Sequence, residues 1–231
     1  LPGSAARRFR GALFTASDGR AEPQNAAPAP AEAARRAGAV ILTGCAVRGV
    51  ETQAGRVSGV VTERGAIACS SVVLAGGAWS RVFCRDLGVT LPQLKVLSSV
   101  LRTGPVEGGP EAAAWAPQVA YRRRQDGGFT IAPEGTTVVP LVPDSFAFLR
   151  PFIPALRQQG TRLRLRLGER FAREWAEAAP TPLDRPSRYE AVRVLDPKPD
   201  LPGLRKAAAA MEALFPGLGR LQVAQQWAGY I

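Results

Sequence analysis

Apolar and polar positions follow two different rhythms along this chain, and the change from one to the other organises it. Residues 27–38 are Ala-rich and carry Glu32, Arg35 and Arg36, which predicts a helix that Gly38 terminates. Residues 39–43 (AVILT) then read as a short, wholly apolar strand. A helix feeding straight into such a strand points to an α/β layout with a parallel sheet. Three short β-like runs follow, at 47–52, 56–63 and 66–70. They are parted by Gln53-Ala54-Gly55 and Arg64-Gly65, both suited to hairpin turns, and so predict a three-stranded antiparallel meander. Residues 72–75 (VVLA) read as another buried strand, broken at Gly76-Gly77, with a helix over 80–87.

From about Leu91 helices no longer separate the strands. Residues 96–103, 119–124, 128–132 and 136–140 read as strands joined by Gly and Pro turns, which predicts a second, mostly antiparallel sheet. Helices are expected at 145–159 and 162–178, a strand at 189–195, a helix at 204–215 and a strand at 221–227. Tyr121 and Arg123 alternate on one strand and share a face, whereas Arg122 and Arg124 share the other. Two readings of that strand stay open. It is an edge strand with solvated arginines, or one face turns a guanidinium toward a carboxylate, which it can grip bidentately.

Composition narrows the chemistry. Apolar residues at 46% and charged residues at 21% describe an ordinary globular chain rather than a disordered one. No apolar run approaches the roughly 20 residues of a membrane span, so no transmembrane segment is expected here. The net charge of +11 invites a nucleic-acid reading, and nearly all of it is Arg, with Lys only at Lys95, Lys198 and Lys206. The densest run holds Arg162, Arg164, Arg166, Arg170 and Arg173, with Leu163, Leu167, Phe171 and Trp175 spaced four apart between them. Glu169, Glu174 and Glu177 lie at helical spacing from these arginines, so the run reads as a salt-bridged, solvated helix face. No stacking aromatics interleave with the arginines, and no nucleic-acid partner is expected.

The chain has no His, which removes Ser-His-Asp and Cys-His nucleophilic sites and the common zinc sites together. Cys45, Cys69 and Cys84 form no CxxC and no metal-ligand spacing. They read as small buried hydrophobes, and no metal is expected. The opening Leu1-Pro2-Gly3-Ser4 has no initiator Met and no signal-peptide layout, so any targeting segment is expected to lie outside this stretch.

One segment carries a family resemblance. The run Gly55–Ile67 followed by Val72-Val-Leu-Ala-Gly-Gly-Ala-Trp-Ser80 resembles the meander and the apolar-strand–Ala-Gly motif of flavoproteins with two dinucleotide-binding domains. Its Gly-Ala-Trp-Ser ending is similar to the D-amino-acid oxidase and glycine oxidase family. A strand stopping at Gly76-Gly77 lets backbone N–H groups approach an anionic cofactor with no Cβ in the way, and a following helix offers its N-terminal dipole. Asp18-Gly19-Arg20-Ala21-Glu22-Pro23, Gly38-Ala39-Val40-Ile41 with Val47, Tyr121 to Gly128 and Trp227-Ala228-Gly229-Tyr230 resemble further family segments in the same order.

The resemblance implies FAD as cofactor, met by Val47, Ala75, Gly76, Gly77, Trp79 and Gly229, with Tyr121 and Arg123 as the catalytic, substrate-facing residues. It implies an α/β fold: a partial Rossmann-like FAD-binding domain with the meander over 1–90, an antiparallel-sheet substrate domain (α+β) over 91–203, and a return to the FAD domain over 204–231. The implied reaction is oxidation of the C–N bond of a small amine or amino acid by hydride transfer to flavin, giving an imine. The alternatives are a flavin dehydrogenase of a secondary amine or a polyol phosphate, and a non-catalytic remnant or basic binding module of the same fold. The chain has no G-x-G-x-x-G after a strand and stops where the family continues into its C-terminal flavin-contacting segment. An internal piece, inactive by itself, is therefore the expectation, in the cytoplasm or peripheral to the inner membrane.

Overall fold

A computed structural model describes residues 5, 9–134, 137–159, 163–176 and 179–231. Sequence features at 1–4, at Thr136, at Arg162 and at 177–178 lie outside the described residues, as do the side chains of Glu169 and Arg173. In chain order the elements are α1 (Pro23–Ala26), α2 (Pro28–Arg36), β1 (Val47–Gln53), β2 (Arg56–Thr62), β3 (Gly65–Ala68), α3 (Ser80–Asp86), β4 (Leu97–Thr103), β5 (Ala114–Ala116) and β6 (Val119–Arg123). There follow β7 (Phe129–Pro133), β8 (Thr137–Pro140), α4 (Pro143–Ala147), α5 (Leu149–Gln159), β9 (Leu163–Arg166), α6 (Glu169–Ala176), α7 (Arg188–Ala191), α8 (Leu201–Leu214) and β10 (Val223–Tyr230). The class is α/β. The chain divides into two units, one of Leu1–Ile41, Ser98–Thr137 and Asp196–Gly229, the other of Leu42–Leu97, Val138–Leu195 and Tyr230–Ile231. These boundaries cut across a division at 90 and 203.

Unit 1 is built on the antiparallel run β5-β6-β7-β4, with β10 alongside β4. Leu101, Tyr121 and Ile131 stand opposite one another across β4, β7 and β6, so they share a face. That face is covered by α8, whose Leu204, Ala207, Met211 and Leu214 recur at helical spacing and are buried with Phe129 and Phe215. The expected strands at 96–103, 119–124 and 128–132 are thus present. β5 went unforeseen, because Ala114-Trp115-Ala116 is too short to show a period and its Trp115 is exposed.

Unit 2 holds the meander β1-β2-β3, all antiparallel, with Val50 opposite Val60 and Val60 opposite Ile67. The first turn takes left-handed backbone at Ala54 and Gly55, the geometry of a tight hairpin. The unit also holds α3 through α7 and the β8-β9 pair.

Four expectations need correcting. Residues 39–43 and 72–75 form no strand, because no neighbouring strand among the described residues pairs with them. Val73 is accordingly 91% exposed and Val40 83%. Residues 163–166 are strand β9 rather than the start of a long helix: Leu163 and Leu165 alternate with Arg164 and Arg166, a pattern of period two. The helix begins only after Gly168, and its apolar face shrinks to Phe171 and Trp175, stacked at 6.0 Å. Residues 188–191 are helix α7 rather than strand, because Ser187 and Glu190 form a capping box in which the Ser187 N–H and hydroxyl both donate to the Glu190 carboxylate, at 2.8 and 2.9 Å. The three cysteines are free thiols, half-buried rather than fully buried. Among the described residues no helix is long and apolar enough to cross a membrane.

Candidate functional site

In unit 2 the proposed cofactor-binding residues gather around two backbone features. Residues 71–76 belong to no helix or strand, and their backbone N–H groups find no acceptor among the described residues. They lead into a single 3-10 turn, Gly77–Trp79, and then into α3. Gly77 has φ +53, and a Cβ built there would meet nothing within 4 Å, so the turn opens onto free space. Gln93 holds it from one side, its Nε2 donating to the Gly77 carbonyl at 3.3 Å, while its Oε1 is buried without a donor among the described residues. Trp79 is packed rather than open, edge-on to Tyr189 at 5.4 Å and with the Lys95 ammonium 5.7 Å from its ring. Burial pushes the Lys95 ammonium below its ordinary value, although Glu174 sits 3.3 Å away. Burial likewise lifts the Tyr189 phenol to about 12, with Asp86 adding to the rise.

The second feature is the approach to Val47, which heads β1 opposite Thr62. The β2–β3 turn clamps the loop in front of it. Arg64 donates to the Thr43 and Gly44 carbonyls at 3.1 and 3.0 Å. Glu63 accepts the Ala46 N–H at 2.6 Å and both ends of the Arg193 guanidinium at 2.7 Å. The Arg193 guanidinium foremost, with the Ala46 N–H, holds the Glu63 carboxyl down to about 2. This clamp is invisible in one dimension, since Glu63 and Arg193 are 130 residues apart.

Unit 1 holds the other proposed site residues. Gly229 lies in β10 with nothing within 4 Å of where a Cβ would stand. Tyr121 is 4% exposed on the α8-covered face, edge-on to Phe129 and Phe215. Its hydroxyl has no partner among the described residues, and burial lifts its pKa to about 12. Arg123 is on the same face. Its guanidinium donates to the Val106 and Gly108 carbonyls at 2.9 and 2.6 Å and lies 4.8 Å from the Phe129 ring centre. On the opposite face Arg122 donates to Glu22 at 3.1 and 3.3 Å, and Arg124 pairs with Asp126 at 3.1 Å and with Glu22 at 3.9 Å. Chiefly through Arg122, the Glu22 carboxyl is held below its ordinary value. β6 runs between β5 and β7, so it is not an edge strand, and carbonyl acceptors on one face with carboxylates on the other explain how Arg122, Arg123 and the following Arg124 are tolerated there.

An open glycine turn after an apolar, unpaired segment is the kind of backbone that receives a large anionic cofactor. The residues present suit part of such a group; a glycine-rich pyrophosphate loop is not among them. The model of the FAD dependent oxidoreductase family (DAO) matches residues 1–231, and the chain belongs to that family. It is similar in structure to the L-amino acid deaminase from Proteus myxofaciens solved with anthranilate, with a TM-score of 0.83 and 34% identity over 88% of this chain and 46% of that one. It is 31% identical over 124 residues to 4-methylaminobutanoate oxidase (formaldehyde-forming) of Paenarthrobacter nicotinovorans, 54% of this chain and 14% of that protein. It is 46% identical over 48 residues to glycine oxidase of Pseudomonas putida KT2440, 21% of this chain and 13% of that protein. The chain therefore spans less than half the length of these relatives.

Proposed function

We propose that the protein carrying this chain oxidises the C–N bond of an amino acid or small amine to an imine, which water then hydrolyses. Bound FAD supplies the acceptor for the hydride that leaves the substrate carbon. The observation that carries this reading is the family match along the whole chain, and relatives named for L-amino acids, glycine and a methylated amine support the substrate class. Ala75, Gly76 and Gly77 are proposed to meet the cofactor through backbone N–H groups, with Val47, Trp79 and Gly229 beside it. The Glu63–Arg64 clamp would keep the Val47 backbone in place. We keep the assignment of 1–90 and 204–231 to cofactor and 91–203 to substrate as a division of function rather than of packing.

Within this reading Tyr121 would donate to a ligand its hydroxyl, which has no partner among the described residues. Arg123 would have to exchange two backbone carbonyls for a substrate carboxylate. A chain without His suits the chemistry, since hydride loss from an already neutral amine needs orientation more than a strong side-chain base. The test is anaerobic mixing of the FAD-loaded protein with L- and D-amino acids, N-methylated amines and glycerol phosphate. Loss of oxidised-flavin absorbance with an amino acid, and release of a keto acid with ammonia, is expected. Bleaching by glycerol phosphate alone, or by none of them, would sink the proposal.

A further inference from the structure

Resting on that reading, we infer that residues 187–193 form a positioning strut that sets the spacing between the two backbone features proposed to meet the cofactor. The segment lies in unit 2 with both features, although it comes from the stretch assigned to substrate. It is stiff for its size. The Ser187–Glu190 capping box closes its first turn. The Ala191 and Val192 N–H groups donate back to the Ser187 and Arg188 carbonyls at 3.2 and 3.0 Å.

Toward the Gly77 turn the strut presents Tyr189. The ring is edge-on to Trp79 at 5.4 Å and lies 5.8 Å from Phe83, and the hydroxyl donates to Asp86 at 3.5 Å. The turn and the α3 helix that follows it are thus gripped by one side chain, with Arg188 adding a charge contact to the same Asp86 at 3.7 Å. Toward Val47 it presents Glu190 and Arg193. Arg48, the residue after Val47 in β1, donates through Nε and Nη2 to the two Glu190 oxygens at 2.9 and 3.1 Å, both side chains being largely buried. Two parallel bonds of this kind fix a guanidinium in orientation as well as in place. Arg193 takes the Glu63 carboxylate, which also accepts the Ala46 N–H just before Val47. Tyr189 and Glu190 are neighbours on one helical turn, and side chains one residue apart point in different directions, so a single turn reaches both features. Neither feature can shift far without dragging that turn. A dinucleotide spans both, and it binds well only where their spacing is set before it arrives.

The experiment strips FAD from the protein carrying this chain and titrates it back, followed by flavin fluorescence, in Arg48→Met, Tyr189→Leu and the double variant. Each is titrated under conditions where its apo form keeps the parent's far-UV dichroism. Either single change is expected to weaken FAD binding by about tenfold. Because both cut the same strut, the double variant is expected to lose no more than about twentyfold, where two independent contacts would multiply to about a hundredfold. Tyr189→Phe, which keeps the ring, is expected to stay within about twofold of the parent, and Arg48→Lys to recover part of the loss. Arg193→Gln, at a half-exposed pair, is expected to cost about threefold, and it reports even if Arg48→Met does not fold. FAD affinity indifferent to these changes, or a double variant near a hundredfold, would overturn the inference. A protein that binds FAD with coupled losses yet oxidises no amine would refute the proposed reaction and leave the strut standing. Amine oxidation with fully multiplicative losses would do the reverse.

Discussion

The two units of this chain are held together by different physics. In unit 1 one apolar face of a sheet meets one apolar stripe of a helix, and Leu101, Phe129, Ile131, Leu204 and Met211 vanish from solvent between them. Unit 2 buries less, chiefly Val82, Phe83, Val139, Val142 and Phe148, and is cross-linked by charges instead. Arg48–Glu190, Glu63–Arg193, Arg81–Asp144 and Lys95–Glu174 each join segments more than 60 residues apart, at 2.9, 2.7, 2.9 and 3.3 Å. Hydrophobic burial depends little on pH or salt, whereas ion pairs depend on both. The contrast also fits the two backbone features of unit 2 that are proposed to meet the cofactor. The open Gly77 turn and the clamped Val47 loop need backbone held in place rather than bulk buried, and hydrogen bonds to carbonyl and amide groups do that directly.

The largest expected effect falls on the apolar side of the comparison. Phe129 is fully buried at the centre of the unit 1 core, beside Tyr121 and under the Arg123 guanidinium. Phe129→Ala is expected to lower the stability of unit 1 by about 3–5 kcal/mol. Hydrogen exchange resolved to peptides would show this as lost protection in β6, β7 and α8, with the meander β1–β3 little changed. Equal loss in both units would mean that they unfold as one and that the contrast has no energetic content.

Acid offers the complementary break. Glu63 and Glu190 sit at about 2 in the folded chain, against an ordinary carboxyl value of 4.5, because Arg193 and Arg48 respectively donate to them. Their pairs contribute fully above pH 4.5, and that contribution is lost as pH falls from there through 2. Unit 1 has Glu22 lowered by Arg122, but its core does not rest on that pair. Exchange measured at pH 6 and at pH 3 is therefore expected to deprotect β1, β2 and α7 before β6, β7 and α8. The order should sharpen with added salt. Loss beginning in α8 would contradict it.

Much of this architecture was legible in the residues, and the failures have a common cause. The meander, α3, β4, β6 and β7 each carry their apolar pattern locally and are closed by Gly or by turn residues, and α2 is marked by its Ala-rich run ending at Gly38. Residues 39–43 and 72–75 have equally good strand sequences, yet a strand forms only when a neighbour accepts its hydrogen bonds, and no single segment reveals that. Leu163 to Arg166 fits helix and strand spacing alike, so tertiary pairing with β8 decided it. Ser187 to Glu190 did carry a local signal, the S-x-x-E capping box, outweighed by the β-branched run after it. For the site, glycines and aromatics stand out in one dimension. Gln93, and Glu63 with Arg193, do not, because each acquires meaning only from a partner brought in by folding.

The smallest expected effect is the most discriminating for unit 1. Tyr121 is part of the core, yet it is the one member of that cluster with a side-chain hydroxyl, and the hydroxyl has no partner among the described residues. A buried hydroxyl left unpaired costs about 1–3 kcal/mol, so replacing it by hydrogen removes a penalty while keeping the ring contacts with Phe129 and Phe215. Tyr121→Phe should therefore leave unit 1 as stable as before or more stable by up to about 1 kcal/mol, measured by denaturant unfolding. In the FAD-loaded protein the same variant should keep the flavin spectrum and weaken amino-acid binding by about 1 kcal/mol if the hydroxyl serves the ligand. The two readouts separate the roles. Gained stability with unchanged binding makes Tyr121 a packing residue, and gained stability with weaker binding makes it a ligand donor kept at the expense of the core. Lost stability of more than about 1 kcal/mol would show that the hydroxyl already has a partner, and would end both readings.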